Sequence, residues 1–175
     1  MRRLTATLAL VLIATAGIAV AADEGTRHIT GPSADLWFMN DKVFGTAGGH
    51  PLWAIYNCGS DIKGEMDIAG TFHGFAFTYH QEGEKRITGT FGDTAMSLGA
   101  IDKQDGGFVY HVWIGETEHL FSILYQQLED EHMVNSVIEG SVGEGKKVAL
   151  TVDGQLCPMA TTGIILIAAG SMLLG

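Results

Sequence analysis

The stretch Gly107–Gln127, GFVYHVWIGETEHLFSILYQQ, decides the fold class of this chain. Two runs rich in β-branched and aromatic residues, Gly107–Ile114 and His119–Gln127, flank the short polar segment Gly115–Glu118. Runs of this length and composition predict strands, and a short break between them predicts a turn. The stretch therefore predicts an antiparallel hairpin.

Similar runs recur on both sides of this hairpin, and no segment between them is long enough for the crossover helix of a parallel sheet. They are Asp67–Phe72, Gly74–His80, Lys85–Phe91, Thr94–Ile101, His132–Glu139 and Lys147–Val152. Upstream, Leu36–Met39 and Leu52–Tyr56 predict two further strands or an apolar cover, separated by a flexible, lid-like loop at Gly45–Pro51.

The pattern predicts an all-β class, with residues 23–157 as a single β-domain. We expect an antiparallel meander of about 8–10 strands that closes into a barrel, because closure removes exposed strand edges. A β-sandwich is the alternative. The meander resembles lipocalin-like barrels in its architecture alone, so that resemblance gives no residue a role.

Composition restricts the class of partner. The chain has 24 Gly in 175 residues and a formal net charge of -10. A phosphate backbone would require clustered Lys and Arg, so we expect no nucleic-acid partner. Gly70, Gly89 and Gly99 fall inside strand patterns, where glycine usually marks a bulge, a bend or a close approach of two backbones.

The first 22 residues predict a secretory signal peptide. Arg2 and Arg3 are followed by the apolar run Leu4–Val20 and by the small residues Ala21 and Ala22. This order of basic, apolar and small residues is typical of a cleaved signal. It predicts export to the periplasm, the cell envelope or the medium, with an uncleaved membrane anchor as the alternative.

Export changes the interpretation of the two cysteines, Cys58 and Cys157. Oxidising compartments favour a disulfide, and no C-x-x-C spacing points to a redox or metal-binding pair. We therefore predict one structural disulfide between them.

Residues 158–175 form an apolar tail without a charged residue. Two interpretations remain open. The tail packs against the body, as a final strand or a core helix, or it contacts a membrane, although it is short for a membrane span.

Alternate residues of a strand share one face. This alternation groups aromatic side chains that would line a barrel interior and, if the interior is partly empty, would bind a small apolar or amphipathic molecule. The predicted ligand-binding residues are Phe75, Phe77, Tyr79, Tyr110, Phe121 and Tyr125. The simpler alternative is that these residues are core.

The opposite strand faces are not cleanly polar, because they carry Val109, Leu120 and Leu124. We expect a cover over these residues. The candidates are the segments around Trp37 and Trp53, the apolar tail and a second copy of the chain.

An enzyme is the less favoured class. The seven His show no H-E-x-x-H or zinc-type spacing, and no G-x-S-x-G is present, so no metal, cofactor or catalytic residue is assigned. The enzyme alternative takes acid-base groups from His111, His119 and a neighbouring Glu116 or Glu118. A further alternative is a membrane-associated envelope protein that acts through surface contacts.

Overall fold

The structure, a computed structural model, describes residues 26–57, 60–80, 86–129, 132–143, 145–156 and 158–174. These residues form twelve strands and one helix. The elements are β1 (Thr26–Gly31), β2 (Ala34–Met39), β3 (Lys42–Ala47), β4 (His50–Asn57), β5 (Asp61–Ile68), β6 (Thr71–His80), β7 (Arg86–Phe91), β8 (Thr94–Gln104), β9 (Gly107–Ile114), β10 (Thr117–Glu129), β11 (His132–Val142), β12 (Lys146–Leu156) and α1 (Pro158–Leu174).

The strands form a closed antiparallel barrel in which each pairs with its neighbours in sequence and β1 pairs with β12. The predicted all-β barrel class is confirmed. The described residues hold twelve strands rather than about eight to ten. The additional strands include β1 and β3, whose polar and glycine-containing sequences carry little strand signal.

The predicted lid-like loop at Gly45–Pro51 is wrong. Strand β3 continues to Ala47, and β4 begins at His50. Only Gly48 and Gly49 form the turn, with φ angles of 58° and 82° that favour glycine. The glycine-rich segment is therefore a tight hairpin.

Glycines allow the sheet to curve at two places that the sequence indicated. An added Cβ on Gly89 would lie 2.0 Å from the carbonyl oxygen of Ala76, so only glycine fits there. The β8–β9 register shifts between Gly99 and Ile101, which marks a bulge. Gly70, in contrast, lies in the β5–β6 turn with a φ of 82°.

The alternation of each strand separates an apolar inner wall from a mixed outer wall. On β4, Leu52, Ala54 and Tyr56 are buried, whereas Trp53 and Ile55 are exposed. The inner residues of all twelve strands belong to one hydrophobic core.

Helix α1 lies inside the barrel and forms the centre of that core. Its residues from Ala160 to Ser171 are buried, with Ile164–Ala169 completely inaccessible to solvent. A helix that is apolar on every side can be buried on every side. Of the two interpretations of the tail, the structure shows the core helix.

The far end of α1 has a polar contact with the barrel. The Nζ of Lys146, at the start of β12, donates a hydrogen bond to the carbonyl oxygen of Met172 at 2.6 Å. A cation at a helix C-terminus also interacts favourably with the helix dipole. Within the described residues, no helix combines the length and the apolar character needed to cross a membrane.

Two predictions lie outside the described residues. These are the signal peptide of residues 1–22 and the disulfide between Cys58 and Cys157.

Candidate functional site

The six predicted ligand-binding residues lie on the inner wall or beside its core. Phe75, Phe77, Tyr110 and Phe121 are buried, and burial raises the pKa of the Tyr110 hydroxyl. Tyr79 and Tyr125 are half-buried and pack against the same core. The structure thus brings the six together with α1 in one cluster.

These aromatic side chains come from strands that lie between or beside the strands that α1 approaches most closely. The helix runs closest to β11, β12, β8, β3 and β7, whereas the six residues come from β6, β9 and β10. Their rings contact neighbouring aromatic rings: the centroids of Phe75 and Phe91 are 5.1 Å apart, and those of Phe108 and Tyr125 are 5.7 Å apart. A ligand at this position would have to share the interior with α1. Their role in binding remains a prediction.

Among the side chains that the structure describes, one buried polar atom is unsatisfied. The hydroxyl of Ser136 is completely buried and has no hydrogen-bond partner. It follows the bulge of β11, where Asn135 adopts a φ of 48°. The cost of burying an unpaired hydroxyl, about 1–3 kcal/mol, is small beside the apolar burial around it.

The outer wall carries a groove, which we call the Trp53 groove, with a volume of about 390 Å³. Its aromatic and aliphatic side is formed by Trp53 and Ile55 of β4, which are 50% and 44% exposed. Its floor is formed by the small residues Gly74 and Ala76 of β6. The charged residues Lys63 and Glu65 belong to β5, the strand between β4 and β6. The volume lies within the range of small-molecule sites.

A second groove, the Leu120 groove, lies on the outer wall between β9 and β12 and has a volume of about 530 Å³. Leu120 is 54% exposed, and the nearby Leu124 and Val137 are also exposed. The expected cover over Leu120 and Leu124 is therefore absent from the described part of the chain. The apolar tail, one of the candidate covers, is inside the barrel instead.

His111 is the centre of a charged cluster on the outer wall. Its Nδ1 lies 2.7 Å from Oε1 of Glu118, and its Nε2 lies 3.1 Å from Oδ2 of Asp102. Hydrogen bonds first to Glu118 and then to Asp102 raise the pKa of His111. Because both partners are acceptors, the cluster favours a doubly protonated imidazolium ring.

The enzyme alternative required His111 and His119 to converge. His111 pairs with the exposed Leu120, whereas His119 pairs with the buried Val112, so the two imidazoles belong to opposite sides of the wall. The geometry therefore provides no shared acid-base site for them. Among the residues that the structure describes, no group of three or more His, Cys, Asp or Glu side chains is arranged to hold a metal ion.

A second histidine is held in a similar way near the β1–β2 hairpin. The ring of His28 stacks on Trp37 with a centroid distance of 3.8 Å, and its Nε2 lies 2.6 Å from Oδ1 of Asp35. The indole of Trp37 thus contacts the face of the His28 ring, and the carboxylate of Asp35 contacts its Nε2. This arrangement places His28 against the ring of Trp37.

The sequence pattern did not identify the Trp53 groove. Leu52–Tyr56 is apolar at every position, so alternation does not reveal which side chains point outward. The signal that was available is size: in a crowded interior the smaller Ala54 is buried, and the larger Trp53 remains outside.

Comparisons with protein-family models, with curated proteins and with solved structures gave no match to this chain.

Proposed function

We propose that this chain is an exported, non-enzymatic binding protein for a small amphipathic ligand, and that the ligand binds in the Trp53 groove on the outer wall. The single observation that supports this location is the occupation of the barrel interior by α1, whose residues Ile164–Ala169 are completely buried. An interior ligand would have to share this space with the helix. Export is inferred from residues 1–22 of the sequence.

The Trp53 groove supplies what an amphipathic ligand needs. An exposed indole and the side chain of Ile55 provide apolar contact, the small floor at Gly74 and Ala76 provides depth, and β5 provides charges. Sites that combine apolar walls with a few polar groups are typical of small-molecule binding.

The proposal is tested by titrating the folded protein with short-chain amphiphiles while the indole N–H signals of Trp37, Trp53 and Trp113 are followed by NMR. We expect the Trp53 signal to shift and the other two to remain unchanged. Perturbation of α1 signals without a Trp53 shift would place the ligand in the interior, and the absence of any shift would refute the proposal.

Two variants make this test specific. Gly74→Leu fills the floor of the Trp53 groove and should abolish the shift; an added Cβ there meets no atom within 4 Å, so the fold should be retained. Ala149→Leu fills the Leu120 groove instead and serves as the matched control. Equal loss of binding in both variants would argue against a site at Trp53.

A further inference from the structure

Glu65 is placed directly beside the exposed indole of Trp53. Phe44, Trp53, Glu65 and Gly74 are successive cross-strand partners on β3, β4, β5 and β6. Directly opposed residues in an antiparallel pair have their Cβ atoms about 4.5–5.5 Å apart. The carboxylate therefore stands between an aromatic face on one side and a position without a side chain on the other.

The carboxylate of Glu65 is available to a ligand. Within the described part of the chain it forms no ion pair or side-chain hydrogen bond. The neighbouring cation, Lys63, is already engaged: its Nζ lies 2.7 Å from Oδ2 of Asp61. Hydrogen bonds first from Lys63, then from Asn57 and Ser60, lower the pKa of Asp61 to about 2, so this partner stays ionised.

Counted with Asp61, which lies outside the groove lining but pairs with Lys63, the charge balance around the groove is negative. The Lys63–Asp61 pair is neutral as a unit, which leaves the charge of Glu65. The formal net charge of the whole chain, -10, has the same sign. A cation would gain from both fields, whereas an anion would be repelled by both.

We infer that the Trp53 groove recognises an amphipathic cation, an ammonium group attached to a short apolar chain. The ammonium lies over the indole of Trp53 and against the carboxylate of Glu65, since an aromatic face and an anion together favour a cation. The apolar chain lies along Ile55 and over Gly74 and Ala76. This inference rests on the proposed function and adds the chemistry of the head group.

The test compares three amphiphiles with the same octyl chain and different heads: octyltrimethylammonium, octyl sulfate and octyl glucoside. Each is titrated below its micelle concentration, and the dissociation constant is taken from the Trp53 indole signal. We expect the cation to bind about ten-fold more tightly than the glucoside, and the sulfate to bind most weakly.

Glu65→Gln removes the charge and keeps the shape of the side chain. We expect it to weaken binding of the cation about five-fold and to leave the glucoside unchanged. Glu139→Gln, in the Leu120 groove, changes the net charge of the protein by the same amount and should leave both affinities unchanged. This control separates the local carboxylate from the diffuse negative field.

The outcomes distinguish the head group from the groove. If all three amphiphiles shift Trp53 with equal affinity and Glu65→Gln has no effect, the cation inference is overturned and the proposed function stands. Preference for the glucoside would also overturn it and would indicate a sugar head. If no amphiphile shifts Trp53, the proposed function fails, and the inference fails with it.

Discussion

His111 receives a carboxylate from the strand on each side of it, Asp102 from β8 and Glu118 from β10. The ring of Trp113 lies nearby, with its centroid 6.0 Å from that of His111. The arrangement stabilises the charged form of one imidazole on the outer wall. It therefore links the protonation of a single residue to the pairing of three strands.

This link predicts a pH dependence of stability. The folded-state pKa of His111 is raised above its ordinary value of about 6.5, so its contribution is complete below about pH 6.5 and is lost as pH rises through the folded pKa. As pH rises from about 6.5 through the folded-state pKa of His111, we expect the urea midpoint of the wild type to decrease. The midpoint of His111→Gln should change less over the same pH range. His73→Gln is the control and should retain the wild-type profile; the same profile in all three proteins would contradict the prediction.

The sequence predicted on which face of a strand a side chain lies, but it did not predict which side chains pair across neighbouring strands. The inward placement of Phe75 and Phe77 follows from alternation, because small or polar residues stand between the aromatic residues of β6. The pairing of His111 with Asp102 depends on the register of β8 against β9, which includes a bulge. Gly99 marked this position as a bulge, a bend or a close approach, but the sequence did not show which of the three occurs or which residues pair beyond it.

Helix α1 is fitted to the wall by its glycines. An added Cβ on Gly170 would lie 2.4 Å from the ring of Phe91, and one on Gly163 would lie 1.9 Å from Cδ1 of Ile62. Cδ1 is the end of a flexible side chain, whereas the Phe91 ring is buried and stacked on Phe75. The side chain of Ile62 can therefore move away from an added methyl group more easily than the ring of Phe91 can.

We predict that Gly170→Ala destabilises the protein by about 1–2 kcal/mol more than Gly163→Ala. Alanine improves helix propensity by about 1 kcal/mol at both positions, so the comparison isolates the clash. The measurement is the free energy of unfolding in urea. Equal stability of the two variants would show that Phe91 moves aside freely.

The strands were easier to predict from the sequence than the helix. Strand β9 was predicted with its observed bounds, because turn residues flank an uninterrupted β-rich run. The tail could not be assigned to a strand or a helix, since a segment that is buried on every side has no polar face and thus no periodicity. Only the enclosing barrel explains why its sequence is uniformly apolar.

The described residues form a barrel around a helix from the same chain. Its inner wall and α1 form one hydrophobic core, so neither has a separate apolar surface to pack against. The strand number was underestimated because the sequence signal is local, whereas closure requires enough strands to surround a helix about 10 Å wide.

This architecture makes the centre of α1 intolerant of charge. Ile165 is completely buried, so Ile165→Asp places an unpaired carboxylate in the core and should prevent stable folding, a loss of more than about 4 kcal/mol. Ile55→Asp makes the same change on the outer wall, where Ile55 is 44% exposed, and should cost less than about 1 kcal/mol. Circular dichroism and urea unfolding provide the measurement. Normal folding of Ile165→Asp would mean that α1 is not the core of the barrel.

We expect the barrel to open first at the seam between β1 and β12. Among the described residues this seam pairs only three residues, His28, Ile29 and Thr30, whereas β11 and β12 pair over nine. Backbone amides at the seam should therefore exchange with solvent sooner than those of neighbouring ladders. Each opening leaves two bare strand edges, and bare edges pair with those of other molecules. The shortest ladder of the barrel is thus also the place where its self-association would begin.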